Sequence, residues 1–74
     1  MRLNTAPPEQ ALTLKTIEGG MELRRRLSEL GLTTGVRMEV IRTTGSGPIL
    51  IRVSESKIAI GRGIAAHIEV EPIS

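Results

Sequence analysis

The stretch Arg25 to Gly35, RRLSELGLTTG, writes out the end of a helix and the turn that carries the chain into a strand. Leu23, Leu27 and Leu30 recur at helical spacing, so one face of a short helix is apolar while the intervening Arg, Ser and Glu face water. Gly31 stops the helix. Glycine tolerates the left-handed conformation after a cap, and Leu32 then falls where a Schellman motif sets an apolar residue against Leu27. Gly35 supplies a second permissive backbone at the entry to a strand that begins with Val36.

From Val36 onward the apolar period is two. Val36, Met38 and Val40 share one strand face, Ile49, Ile51 and Val53 share the next, and Ile58 and Ile60 follow. A connection from Thr43 to Pro48 pairs Val40 with Ile51 and Met38 with Val53. It also sets Glu39 opposite Arg52, an opposite-charge pair on the other face. A tight turn at Glu55 and Ser56 then pairs Val53 with Ile58 and Ile51 with Ile60. Pro48 suits the first residue of a strand, where no ladder donor is needed. Strands over Ala11 to Ile17 and His67 to Glu71 bracket this meander, and Gly63 to Ala66 leaves room for one helical turn. A five-stranded antiparallel sheet of this size exposes edges unless it curls, and Gly61 and Gly63 are placed where a strand can bend. The expected fold is mainly β: a small, partly open five-stranded barrel, with one short α-helix between the first two strands and a helical turn before the last.

Composition narrows this further. The chain has 74 residues, no cysteine and no Phe, Tyr or Trp. One domain is expected, 1–74 with a core over 11–72, burying roughly 60% of the surface its unfolded chain would expose. Residues 1–10 hold Pro7 and Pro8 and little periodicity, so they are expected to be loosely ordered. The core must be aliphatic, because 21 Leu, Ile and Val residues supply nearly all the apolar content. The N-terminus turns polar at Asn4 and Thr5 and no run approaches the roughly 20 apolar residues that span a bilayer, so neither a signal peptide nor membrane insertion is expected. The reading is a soluble cytoplasmic protein.

The order of these segments closely resembles the FeoA proteins of bacterial ferrous iron uptake, from about Ala11 to Val70. The most specific parts are Arg26 and Leu27, Leu30 to Leu32, Gly35, Pro48, and the late Ile60, Gly61, Arg62, Ala65 and Ile68. The resemblance implies an SH3-like barrel that acts as a small cytosolic accessory of FeoB, the membrane iron transporter with a GTP-binding domain. The same domain type occurs at the C-terminus of iron-dependent transcriptional repressors, so a detached regulatory domain is the alternative. The chain departs from the family pattern twice. Glu9 stands where many members carry glycine in the turn before the first strand, and Gly45, Ser46 and Gly47 replace the apolar and acidic residues often found before Pro48.

Several function classes find little support. His67 is the only histidine, which excludes histidine-pair catalysis, and the eight acids, all Glu, are scattered without the spacing of an acid/base pair. No enzyme activity and no cofactor are expected. His67 and Glu69 share a strand face, but two ligands without cysteine or a second histidine do not make a specific metal site. A net charge of +2 with no stacking residue argues against nucleic acid, and the missing aromatics remove the groove by which peptide-binding SH3 domains grip proline-rich ligands. What remains is protein–protein docking. Arg24, Arg25 and Arg26 form the densest charge cluster, either laced into Glu22–Arg26 and Arg25–Glu29 pairs or free as a steering patch. Ile41 opposite Leu50, next to Gly61, is an apolar candidate on the outer hairpin face, with Leu3 and the prolines as its expected cover. Arg24, Arg25 or Arg62 is placed to act as an arginine finger toward a GTPase.

Overall fold

The helix exit is built as its sequence requires. In a computed structural model, which describes residues 1–43 and 45–73, α1 (Met21–Glu29) is capped by Leu30 and followed by Gly31 at φ 91°. The Gly31 N–H donates to the Ser28 carbonyl (3.0 Å) and the Leu32 N–H to the Leu27 carbonyl (2.9 Å), the two bonds of a Schellman closure. Leu27 and Leu32 are both buried, and burial of each side chain stabilises by about 1.5–3 kcal/mol. Leu30 departs from the expected apolar face. It is 49% exposed, because as the cap residue it has already left the helical path at ψ 1°. Gly35, also at φ 91°, closes a turn in which the Val36 N–H donates to the Thr33 carbonyl (3.0 Å).

Around this helix lie β1 (Ala11–Ile17), β2 (Arg37–Thr43), β3 (Ile49–Val53), β4 (Ser56–Ile60), the short α2 (Arg62–Ala65) and β5 (Ile68–Pro72). They form one antiparallel sheet in the order β4-β3-β2-β1-β5, whose outermost strands do not pair with each other. One face gathers Leu12, Leu14, Met38, Val40, Ile49, Ile51, Ile68 and Val70 into a single aliphatic core. The strand expected to begin at Val36 begins at Arg37, although the Val36 carbonyl still accepts the Leu14 N–H (2.9 Å). The last strand and the helical turn are each displaced by one residue from the expected bounds.

The first hairpin has the expected register near its open end: Met38 faces Val53, Glu39 faces Arg52 and Val40 faces Ile51. Thr44, in the connection expected over residues 43–48, lies outside the described residues, as does Ser74. The second hairpin is shifted by two residues. Ser54 takes a left-handed φ of 55° and turns with Glu55, so Val53 faces Ser56, Ile51 faces Ile58 and Ile49 faces Ile60. A two-residue slip keeps every side chain on its own face, so alternation alone does not distinguish the registers; the observed one gives Ile49 an apolar partner.

Two further expectations are corrected. A β-bulge between Val40 and Arg42 leaves Ile41 as the extra residue, so Leu50 faces Arg42 and Ala59, not Ile41 and Gly61. Residues 1–10 are not loose. Leu3, in the 3-10 turn Leu3–Thr5, is fully buried in the core with Ala6, and this turn packs on α2 and β5. Leu3 is therefore core and not cover for the outer hairpin face. The Glu9 N–H reaches the Val40 carbonyl (2.6 Å) from a residue at φ 66°, a left-handed backbone that glycine adopts more freely than glutamate.

Candidate functional site

The three arginines of α1 have different surroundings. Arg24 turns back along the helix and its Nε donates to the Ile17 carbonyl (3.0 Å), fixing the helix to the end of β1. Arg25 and Arg26 are exposed, and among the described residues no carboxylate lies within 4.0 Å of either. The expected Glu22–Arg26 and Arg25–Glu29 pairs do not form. Two cations on an exposed helix thus remain unneutralised, beside Met21, which is 86% exposed.

Arg62 faces inward instead. It begins α2, is half-buried, and its Nη1 makes a long bond to the Asn4 carbonyl (3.5 Å). A guanidinium held against the N-terminal turn is poorly placed to enter another protein's nucleotide site. Ile41 and Leu50 are both half-buried, but the bulge separates them in register, so they do not form the expected cross-strand pair.

His67 and Glu69 are not brought together as ligands. His67 is exposed ahead of β5, and its carbonyl accepts the Glu18 N–H (2.7 Å). The Glu69 carboxylate meets the Met1 amine (2.9 Å) and the Arg2 Nε (3.4 Å). The hydrogen bond from that amine, helped by the Arg2 and Lys15 charges, holds Glu69 below the usual carboxylate range. Among the described residues no group of three or more His, Asp or Glu side chains is gathered for a metal ion.

Arg2 is the residue that sequence reasoning missed. Its guanidinium spans Glu18 (2.8 Å) and Glu69 (3.4 Å), and the Glu18 hydrogen bond raises its pKa. Nothing in the local pattern announces this, since the partners lie 16 and 67 positions away.

The curled five-stranded sheet, its helix after the first strand and its short helical turn before the last define an SH3-like β domain whose usable chemistry is surface charge and apolar patches. The sequence model of one family, the FeoA domain, matches residues 1–72. A Methanocaldococcus jannaschii protein bearing the name Fe(2+) transport protein A is 39% identical over 62 residues, which is 84% of this chain and 74% of the relative. The crystal structure of an iron uptake regulatory protein, FeoA, superposes with a TM-score of 0.93 at 32% identity, covering 99% of this chain and 97% of the other. The crystal structure of ScaR with bound Zn2+ matches at a TM-score of 0.88 and 23% identity, covering 99% of this chain and 37% of ScaR, a likeness of fold alone. The chain belongs to the FeoA family, whose named relatives are ferrous iron transport proteins. None of its helices, among the described residues, is long and apolar enough to cross a membrane.

Proposed function

We propose that this chain is a non-enzymatic cytosolic accessory of ferrous iron uptake that binds FeoB and modulates it. The observation that supports this is the family match over residues 1–72, joined by the name of the 39% identical relative. The exposed, unpaired Arg25 suits a protein that must find a larger partner, because a cationic patch raises the association rate more than the final affinity. Arg24, tied to the Ile17 carbonyl, contributes charge with less freedom to move. Arg25 is also the strongest of the three arginine-finger candidates, since Arg62 is turned toward Asn4. Leu50, with Ile41 beside the bulge, is a second and apolar contact candidate.

Purified FeoB, with nucleotide state varied, tests the reading. Arg25→Glu should slow association and flatten its salt dependence, whereas Leu50→Glu should mainly raise the dissociation rate if the hairpin face is the contact. Parent-like binding by both variants removes both surfaces from consideration. Failure of the parent chain to bind FeoB in any nucleotide state removes the function.

The second reading, a regulatory domain related to the C-terminal domain of metal-dependent repressors, is favoured by the ScaR and SloR superpositions at TM-scores of 0.88 and 0.87. Reading DNA calls for a helix-turn-helix. The helices described here have nine and four residues, so DNA binding by this chain alone would be the result that favours this reading.

A further inference from the structure

The outer edge of β4 is open. The two-residue turn at Ser54 and Glu55 makes Val53 and Ser56 a hydrogen-bonded pair, and antiparallel alternation then aims the N–H and C=O of Lys57 and Ala59 away from β3. No other strand lies on that side, and among the described residues no other backbone group takes these four positions. Alongside runs a groove of about 380 Å³ between β4 and α1, lined by Leu23, Leu30, Ala59, Ile60 and Ile64, with Arg26 and Glu29 on its helical wall. Leu30 and Ile64 are 49% and 40% exposed. Unpaired backbone beside an apolar trough is the arrangement that accepts an added strand.

We propose that this edge docks an extended segment of a partner protein, with apolar residues at alternate positions and carboxylates between them. A strand added to β4 continues the alternation of the sheet. One row of its side chains falls beside Ile58 and Ile60, over Leu23, Leu30 and Ile64, and the other falls beside Lys57 and Ala59. Lys57 has no carboxylate within 4.0 Å among the described residues, so the row of the docked segment that falls on its face supplies the missing negative charge. A second copy of the chain is the poorer occupant. Two β4 strands paired about Ile58 would set their Lys57 side chains at diagonal positions roughly 7–8 Å apart, on molecules that already carry like net charge. The chain's own ends are engaged elsewhere, Met1 with Val70 and Ile73 with Ala11. The edge calls for the same ligand chemistry whether or not the partner is FeoB.

The test uses the whole isotope-labelled chain and two peptides of one composition, acetyl-Val-Glu-Val-Glu-Val-amide and its isomer acetyl-Val-Val-Val-Glu-Glu-amide, each titrated to millimolar concentration. The alternating peptide should slow amide exchange at Lys57 and Ala59 about fivefold or more and leave Val70 unchanged. It should bind about tenfold more tightly than the isomer, and Leu30→Lys or Ile64→Glu, both at exposed positions and checked by melting, should each weaken it about tenfold. Equal binding of the isomer, shifts that map to the Arg25 face, or no exchange change at Lys57 and Ala59 would overturn the proposal. So would protection of these amides that grows with protein concentration in the absence of peptide, which assigns the edge to a second copy.

Discussion

The two edges of the sheet are finished in opposite ways. At β5 the Val70 N–H donates to the Met1 carbonyl (2.8 Å), Arg2 bridges to Glu69, and the Arg2 guanidinium ties the segment to Glu18 and Glu69. Leu3 then drives into the core. At β4 the deterrents to pairing are a length of five residues and the charge of Lys57. Closing an edge by the chain itself thus occupies a dedicated segment, in which Arg2 is ion-paired and Leu3 is buried. Leaving an edge open requires only a short strand and one cation, and it retains backbone groups that another protein can use.

The largest effect is expected where the closed edge meets the core. Leu3→Ala removes a fully buried side chain and should cost about 2–5 kcal/mol, read from a urea titration. A loss within a few tenths of a kcal/mol would mean that the segment over β5 is dispensable, and the contrast between the edges would collapse. Next comes the helix that walls the open edge. Gly31→Val places a β-branched residue at φ 91° and should cost about 1–2 kcal/mol or more through backbone strain, since a Cβ there meets only Val53 Cγ1 at an ordinary 3.9 Å. An unchanged melting midpoint would separate the helix exit from stability.

Smaller changes sharpen the picture. Glu9→Gly, at the return from the N-terminal segment into β1, relieves a left-handed φ of 66° but adds freedom to the unfolded chain. The net gain should be about 0.5–1 kcal/mol, and a loss in thermal melting would show that the Glu9 side chain stabilises the turn. The smallest effect belongs to Glu69→Gln. Because Glu69 is held below its unfolded value, its contribution is present above that unfolded pKa and is lost as pH falls through the depressed folded one. The variant should melt slightly below the parent near neutrality, and the two curves should converge in acid. Water screens this pair well, so added salt should narrow the gap too.

The contrast between edges also marks what the sequence carried legibly. Much of the local structure is readable: the Schellman exit at Gly31, the strand faces, and the Glu39–Arg52 pair, which forms at 3.3 Å. Alternation has a period of two, so it is indifferent to a slip of two, and a left-handed Ser54 chose the register of the second hairpin. The bulge at Ile41 inserts one residue that no composition signal marks, which dissolved the expected pairing of Ile41 with Leu50. The surface was harder still. Arg24, Arg25 and Arg62 are arginine-finger candidates in the sequence, but Arg24 turns to the Ile17 carbonyl across the turn before α1, and Arg62 to the Asn4 carbonyl from a segment distant in the chain. Arg2 escaped notice for the same reason.

The adjacency of β1 and β5 carries a mechanical consequence. Leu12 faces Pro72 at one end of this pair and Ile17 faces Ile68 at the other, so both chain ends leave from the same end of the ladder. Tension applied to the two ends lifts residues 1 and 2 from β5, draws Leu3 out of the core, and loads the Leu12–Pro72 rung, the next, and so on, one pair at a time. Such a ladder peels and does not shear, and stretching of single molecules from their termini should show rupture at low force. A domain tethered by both ends would come apart first at the edge it has sealed, with the β2–β3–β4 meander still folded.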